Sequence, residues 1–118
     1  MNLKSIIELA WKDRNLLKEK ATVDAINLVI EKLDKGKLRT AEIQNGNWVI
    51  NEWVKKAVVL YFPSRKMETI EVGPFEFHDK MKLKTNYSDL GVRVVPHAVA
   101  RYGSYISSGL SLIHISEP

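Results

Sequence analysis

The sequence predicts an α+β chain: an N-terminal helical domain with a β-hairpin, followed by the first coil of a left-handed parallel β-helix. Three observations predict it. Apolar residues recur at helical spacing in three stretches between Leu3 and Tyr61. An Asn-Gly pair joins two short β-like runs. Beyond Val94 the aliphatic period becomes six, the mark of a hexapeptide repeat.

Leu3, Ile6, Ile7 and Ala10 place an amphipathic helix over residues 3–13, weakened at Asp13-Arg14-Asn15. A second helix has Thr22 as its expected N-cap, because a hydroxyl there can accept an otherwise unpaired backbone N–H. Val23, Ile26, Ile30 and Leu33 form its apolar face. Lys32 and Lys35 suit its negative end, and Gly36 can take the left-handed conformation that stops it. Two β-like runs, Leu38–Ile43 and Asn47–Ile50, flank Gln44-Asn45-Gly46, whose Asn-Gly tolerates the positive φ of a tight hairpin turn.

Asn51 is the expected cap of a third helix, with Val54, Ala57, Val58 and Tyr61 on its apolar face and Pro63 at its end. From Met67 to Leu83 the pattern is extended. Thr69–Val72 alternates, and so does Lys80–Lys84, whose lysines are expected on a solvated strand face. Asn86–Leu90 fits one helical turn closing at Gly91. Val94, Ala100 and Ile106 then stand six apart, with small Ala98 and Ser104 at the positions where a triangular coil must turn.

Composition narrows the function classes. With 118 residues, 45% apolar and 27% charged, the chain is an ordinary globular one. The net charge of +4 is dispersed along the chain, whereas nucleic-acid binders concentrate basic charge on one face, so no nucleic-acid partner is expected. No apolar run approaches the ~20 residues of a membrane span, and the N-terminus lacks the pattern of a secretory leader. A cytoplasmic protein with no membrane partner is the expectation. The absence of cysteine excludes disulfides, thiolate metal sites and cysteine nucleophiles. GxSxG, P-loop and GxGxxG motifs are also absent.

Several segments resemble a known family. Asn51-Glu52-Trp53-Val54-Lys55-Lys56-Ala57-Val58-Val59-Leu60-Tyr61-Phe62 is similar to the third helix of the tetrahydrodipicolinate N-succinyltransferases. Gly91-Val92-Arg93-Val94-Val95-Pro96, followed by Ala100-Arg101-Tyr102-Gly103, resembles that family's entry into its β-helix. Leu33–Arg39 and Phe75–Lys80 fit as well, and the form of these motifs resembles Bacteroidetes members. The likeness spans about residues 3–109.

The resemblance implies an acyltransferase of lysine biosynthesis that moves succinyl from succinyl-CoA, a co-substrate, to tetrahydrodipicolinate. It implies a homotrimer with sites between neighbouring subunits, and no bound cofactor or metal. It further implies that Arg93 holds a substrate carboxylate. A guanidinium suits that role, being always charged and offering a planar fork to two oxygens. No catalytic residue and no coenzyme-binding residue is assigned within this stretch.

The implied organisation is a helical and hairpin domain over residues 1–90 and the start of the β-helix over 91–109. Residues 110–118, Leu110-Ser111-Leu112-Ile113-His114-Ile115-Ser116-Glu117-Pro118, lack hexapeptide logic beyond Leu112 on an aliphatic position. They resemble translated adapter readthrough, so a truncated, inactive fragment with an artefactual tail is expected.

The remaining candidates read as structural. His78, His97 and His114 are too widely spaced for a metal motif such as HxxxH. Some hexapeptide acyltransferases use a histidine as general base, but for His97, beside Pro96 at the β-helix entry, a solvent-facing or structural role is expected. His78 and Asp79 are neighbours on an extended chain and so point to opposite faces. Trp11, Trp48 and Trp53 are expected in the core or at its edge. Two rival readings are another hexapeptide acyltransferase and a small basic interaction module.

Overall fold

The computed structural model describes residues 2–96 and 98–112. Three helices build the core: α1 (Leu3–Lys12), α2 (Lys20–Asp34) and α3 (Glu52–Tyr61), with a 3-10 turn over Arg14–Lys18 between the first two. The Asn2 side chain accepts the Ser5 N–H at 2.8 Å and starts α1. Asp13 both ends α1 and caps the 3-10 turn, accepting the Asn15 N–H. The chain therefore reaches α2 already turning. The second helix opens at Lys20 behind Glu19, which supplies no side-chain cap. Thr22 is not the cap expected of it; it lies inside the helix, buried against the core.

The end of α2 follows the sequence closely. Gly36 takes φ +75°, the Gly36 N–H donates to Leu33 O, and the Lys37 N–H donates to Lys32 O. This paired motif satisfies carbonyls that a helix end leaves without partners.

Ile7 and Ala10, then Ala25, Ile26, Val29 and Ile30, then Val54, Ala57, Leu60 and Tyr61 are buried, and Met81 closes one side. Each helix thus sinks one stripe, as its spacing demands. In α2 the stripe is wider than its most regular positions indicate, taking in Thr22, Ala25 and Val29 as well.

The hairpin forms as expected: β1 (Ala41–Gln44) pairs antiparallel with β2 (Asn47–Ile50), and Asn45 and Gly46 both have positive φ. The first strand is shorter than expected because Leu38 packs against the helical core instead of continuing the ladder. Trp48 is 72% exposed on β2, contrary to its expected place at the core, because its cross-strand partner Ile43 faces the same open side. Asn51 does sit at the start of α3, but its side chain caps nothing there. Its amide donates to Arg39 O at 2.8 Å and to Glu42, tying the hairpin to the helix.

Phe62 keeps right-handed helical angles directly before Pro63, although the residue before a proline is normally pushed out of that region. The helix still stops, since Pro63 has no N–H to extend it. Ser64 Oγ and the Arg65 N–H pick up Tyr61 O and Phe62 O instead.

A second hairpin pairs β3 (Glu68–Val72) with β4 (Phe75–Asp79). The extended pattern expected over Lys80–Lys84 is not a regular strand. It makes two backbone hydrogen bonds with the later chain, Lys84 N to Ala100 O and Tyr102 N to Lys82 O. A short helix α4 (Tyr87–Leu90) runs between left-handed Asn86 and Gly91. Finally β5 (Arg93–Val94) pairs parallel with β6 (Ser111–Leu112), Arg93 opposite Ser111 and Val94 opposite Leu112. The architecture is a helical core with small two-stranded sheets.

Candidate substrate-binding site

Arg93 is positioned by a parallel pair. Its N–H donates to Leu110 O at 3.1 Å, the Val95 N–H donates to Leu112 O, and the Gly109 N–H returns to Gly91 O. Val92 is buried while Arg93 is exposed, as alternation along an extended chain requires. The guanidinium is therefore presented on the outer side of the strand, and among the described residues it forms no ion pair. Val94, Ala100, Ile106 and Leu112 are all partly buried, so the six-residue period marks one side of the loop from β5 to β6. Residues 110–112, the described part of the stretch expected to lack the family pattern, take part in this pairing.

The group that sequence reasoning missed lies where this loop meets α2. Lys84, expected on a solvated face, is buried, with 3% of its side chain exposed. Its ammonium donates to Asp34 Oδ1 at 2.7 Å and to Asp34 O at 3.3 Å. The same carboxylate oxygen accepts the Gly103 N–H at 2.9 Å. Beside it, burial and a hydrogen bond to the Glu31 carboxylate push the Tyr102 phenol well above the ordinary tyrosine range. Lys82 lies over the Tyr102 ring, 4.2 Å from its centroid. A cleft of about 850 Å³ opens beside Asp34, Lys84, Tyr102 and Tyr105. No spacing in the sequence announces this cluster, since Asp34 and Lys84 are 50 residues apart.

The histidines do not assemble a catalytic group. His78 Nδ1 lies 3.0 Å from Thr69 Oγ1 across the second hairpin. Asp79 instead pairs with Arg101 at 2.9 Å, and that guanidinium holds its carboxyl below the usual aspartate range. Their different partners rule out a dyad. His97 and His114 lie outside the described residues. Among the described residues no group of His, Asp and Glu is arranged to hold a metal ion, and no helix is long and apolar enough to cross a membrane.

Residues 2–64 match the family model described as tetrahydrodipicolinate N-succinyltransferase N-terminal. A 2,3,4,5-tetrahydropyridine-2,6-dicarboxylate N-succinyltransferase from Coxiella burnetii is 42% identical over 120 residues, covering 95% of this chain and 44% of the relative. The proteins of that name from Psychrobacter arcticus and Variovorax paradoxus are 44% and 39% identical, covering 92% and 94% of this chain and 44% of each relative. The chain thus spans less than half the length of the curated relatives it matches. With its three-helix core and first hairpin lying inside the matched segment, the chain belongs to the tetrahydrodipicolinate N-succinyltransferase N-terminal family.

Proposed function

We propose that the chain is the N-terminal part of an acyltransferase that moves succinyl from succinyl-CoA to tetrahydrodipicolinate, with Arg93 gripping a carboxylate of the acceptor. The observation that carries this reading is Arg93 itself, held outward by a parallel strand pair in which its partner is Ser111. The names and identities of the relatives support the reaction. The pairing of Arg93 with a residue three six-residue periods later supports the first coil of a left-handed β-helix, because three hexapeptides make one triangular turn.

In this reading residues 1–90 form the helical and hairpin domain and 91–109 begin the β-helix. Leu110–Leu112 lie over its first strand, and 113–118 fall outside the described residues. The completed protein acts as a cytoplasmic homotrimer on small molecules, with no resident metal or cofactor. In this reading a chain of these 118 residues alone, matching 44% of the length of the Coxiella burnetii relative, is inactive.

The chemistry asked of Arg93 is binding and orientation. A fixed planar cation meeting a carboxylate forms charge-assisted bonds worth about 1.5–3 kcal/mol, or roughly 10- to 150-fold in affinity. In the full-length protein Arg93→Ala should raise the KM for the dicarboxylate by that factor and leave the KM for succinyl-CoA within about twofold. An unchanged dicarboxylate KM would exclude the assignment. Arg93→Lys should recover only part of the loss, since an ammonium keeps the charge without the fork.

A further inference from the structure

We infer that Asp34 is a positioning residue: its carboxylate, neutralised by Lys84, holds Gly103 and thereby sets the place of the coil that carries Arg93. The inference rests on the reading of Arg93 given above.

The first argument is that Asp34 is in the wrong place for the helix it belongs to. It closes α2, where the backbone carbonyls already concentrate negative charge and a carboxylate is locally unfavourable. Glu31, one turn earlier, adds a second negative charge. Helix energetics alone would not select aspartate here. Its partners all lie outside the helix: Lys84 at 2.7 Å and the Gly103 N–H at 2.9 Å on the same oxygen. A locally unfavourable residue held by distant partners is the pattern expected where geometry matters more than stability.

The second argument concerns the pair itself. Desolvating two charges offsets most of their attraction, so a buried ion pair contributes little net stability, and its better-attested use is to specify one arrangement. Here the specified arrangement is the approach of residues 100–105 to the end of α2. Gly103 sits so close that a Cβ there would lie 3.3 Å from Ile30 Cγ2. Two residues on, a Cβ on Gly36 would come within 2.8 Å of the Tyr105 ring. Apolar contacts of this kind press the segment onto the helix without choosing its register. The directional bond from the Gly103 N–H to Asp34, beside that of Tyr102 to Glu31 one turn earlier, chooses it.

The third argument is connectivity. From Gly103 the chain runs six residues to Gly109, whose N–H bonds to Gly91 O, and Leu110 O then accepts the Arg93 N–H. On the other side, Lys84 N donates to Ala100 O. Asp34 thus contacts the loop from β5 to β6 directly at Gly103, and through Lys84 it contacts the segment paired with that loop. Displacing Gly103 shifts the strand against which Arg93 is laid.

The test is amide hydrogen exchange on the 118-residue chain and two variants. In the apolar variant Asp34→Leu/Lys84→Met the charges are replaced by apolar groups and Gly103 loses its acceptor. In Asp34→Asn/Lys84→Met the acceptor is kept and no charge is left buried without a partner. In the apolar variant the Gly103, Arg93, Val95 and Gly109 amides should exchange at least about tenfold faster, while the buried α2 and α3 amides stay within about twofold of the parent. Asp34→Asn/Lys84→Met should restore most of the Gly103 protection. Coil amides that exchange no faster in the apolar variant, or that speed up by the same factor as the α2 and α3 amides, would overturn the inference. Exchange reports the coil's position whether or not Arg93 binds a carboxylate. A failure here therefore leaves the Arg93 assignment standing, and a normal KM in Arg93→Ala leaves the positioning result standing.

Discussion

Ile26 and Leu28 lie two residues apart on α2 and shed the same three carbons on mutation to alanine, yet the structure places them at opposite extremes. Ile26 has no exposed surface and belongs to the cluster shared by α1, α2 and α3. Leu28 is 45% exposed on the other side of the helix. For Ile26→Ala, transfer of three methylene equivalents costs about 2.4 kcal/mol at ~0.8 kcal/mol each. A residual cavity brings buried Ile→Ala changes into the range of about 2–5 kcal/mol. Alanine's better helix propensity returns roughly 0.4 kcal/mol. The net loss should be about 3 kcal/mol, a large share of the ~5–15 kcal/mol that holds a domain of this size.

Leu28→Ala leaves no cavity and should cost about 0.5–1 kcal/mol. Urea unfolding followed by helical circular dichroism measures both. At a slope of about 2 kcal/mol per molar, the two midpoints should differ by about 1 M with unchanged slopes. A difference of under about 0.5 kcal/mol between the variants would refute the packing assignment, because the chemistry removed is the same.

Gly36→Ala forces a side chain into a left-handed conformation at about 1–2 kcal/mol and displaces the half-exposed Tyr105 ring, so thermal melts should fall by about 4–8 °C. An unchanged melting temperature would mean that α2 does not end in the left-handed turn described. Alkaline pH tests Tyr102. The folded chain holds the Tyr102 proton more tightly than the unfolded chain, so its contribution is fully present below about pH 10 and declines as pH rises past that value. Between pH 9 and 11 the urea midpoint should drop less steeply for Tyr102→Phe than for the parent; identical slopes would show that the phenol is not desolvated. For Arg93→Ala the expected outcome is the selective rise in dicarboxylate KM already described.

Features set by a few adjacent residues were legible in the sequence. The hairpin turn needs two successive residues with positive φ, and Asn45-Gly46 supplies them without help from the rest of the chain. The stop of α2 at Gly36 and the short helix between Asn86 and Gly91 are equally local. The three apolar stripes were visible because helical spacing carries its own phase, and family resemblance added the role proposed for Arg93. What tertiary structure decided is where side chains found partners distant in sequence. Asn51 donates to Arg39 O instead of capping α3, Trp48 stayed outside because no described residue covers the hairpin's apolar side, and Lys84 went inside because Asp34 was waiting there.

A lysine in an alternating stretch reads as solvated, since burying an unpaired ammonium costs several kcal/mol. Only the folded chain shows the carboxylate that removes that cost. Periodicity alone tells which residues can share a face; the cancellation of charge at Asp34 and Lys84 depends on two segments meeting in space, and no local pattern encodes that meeting.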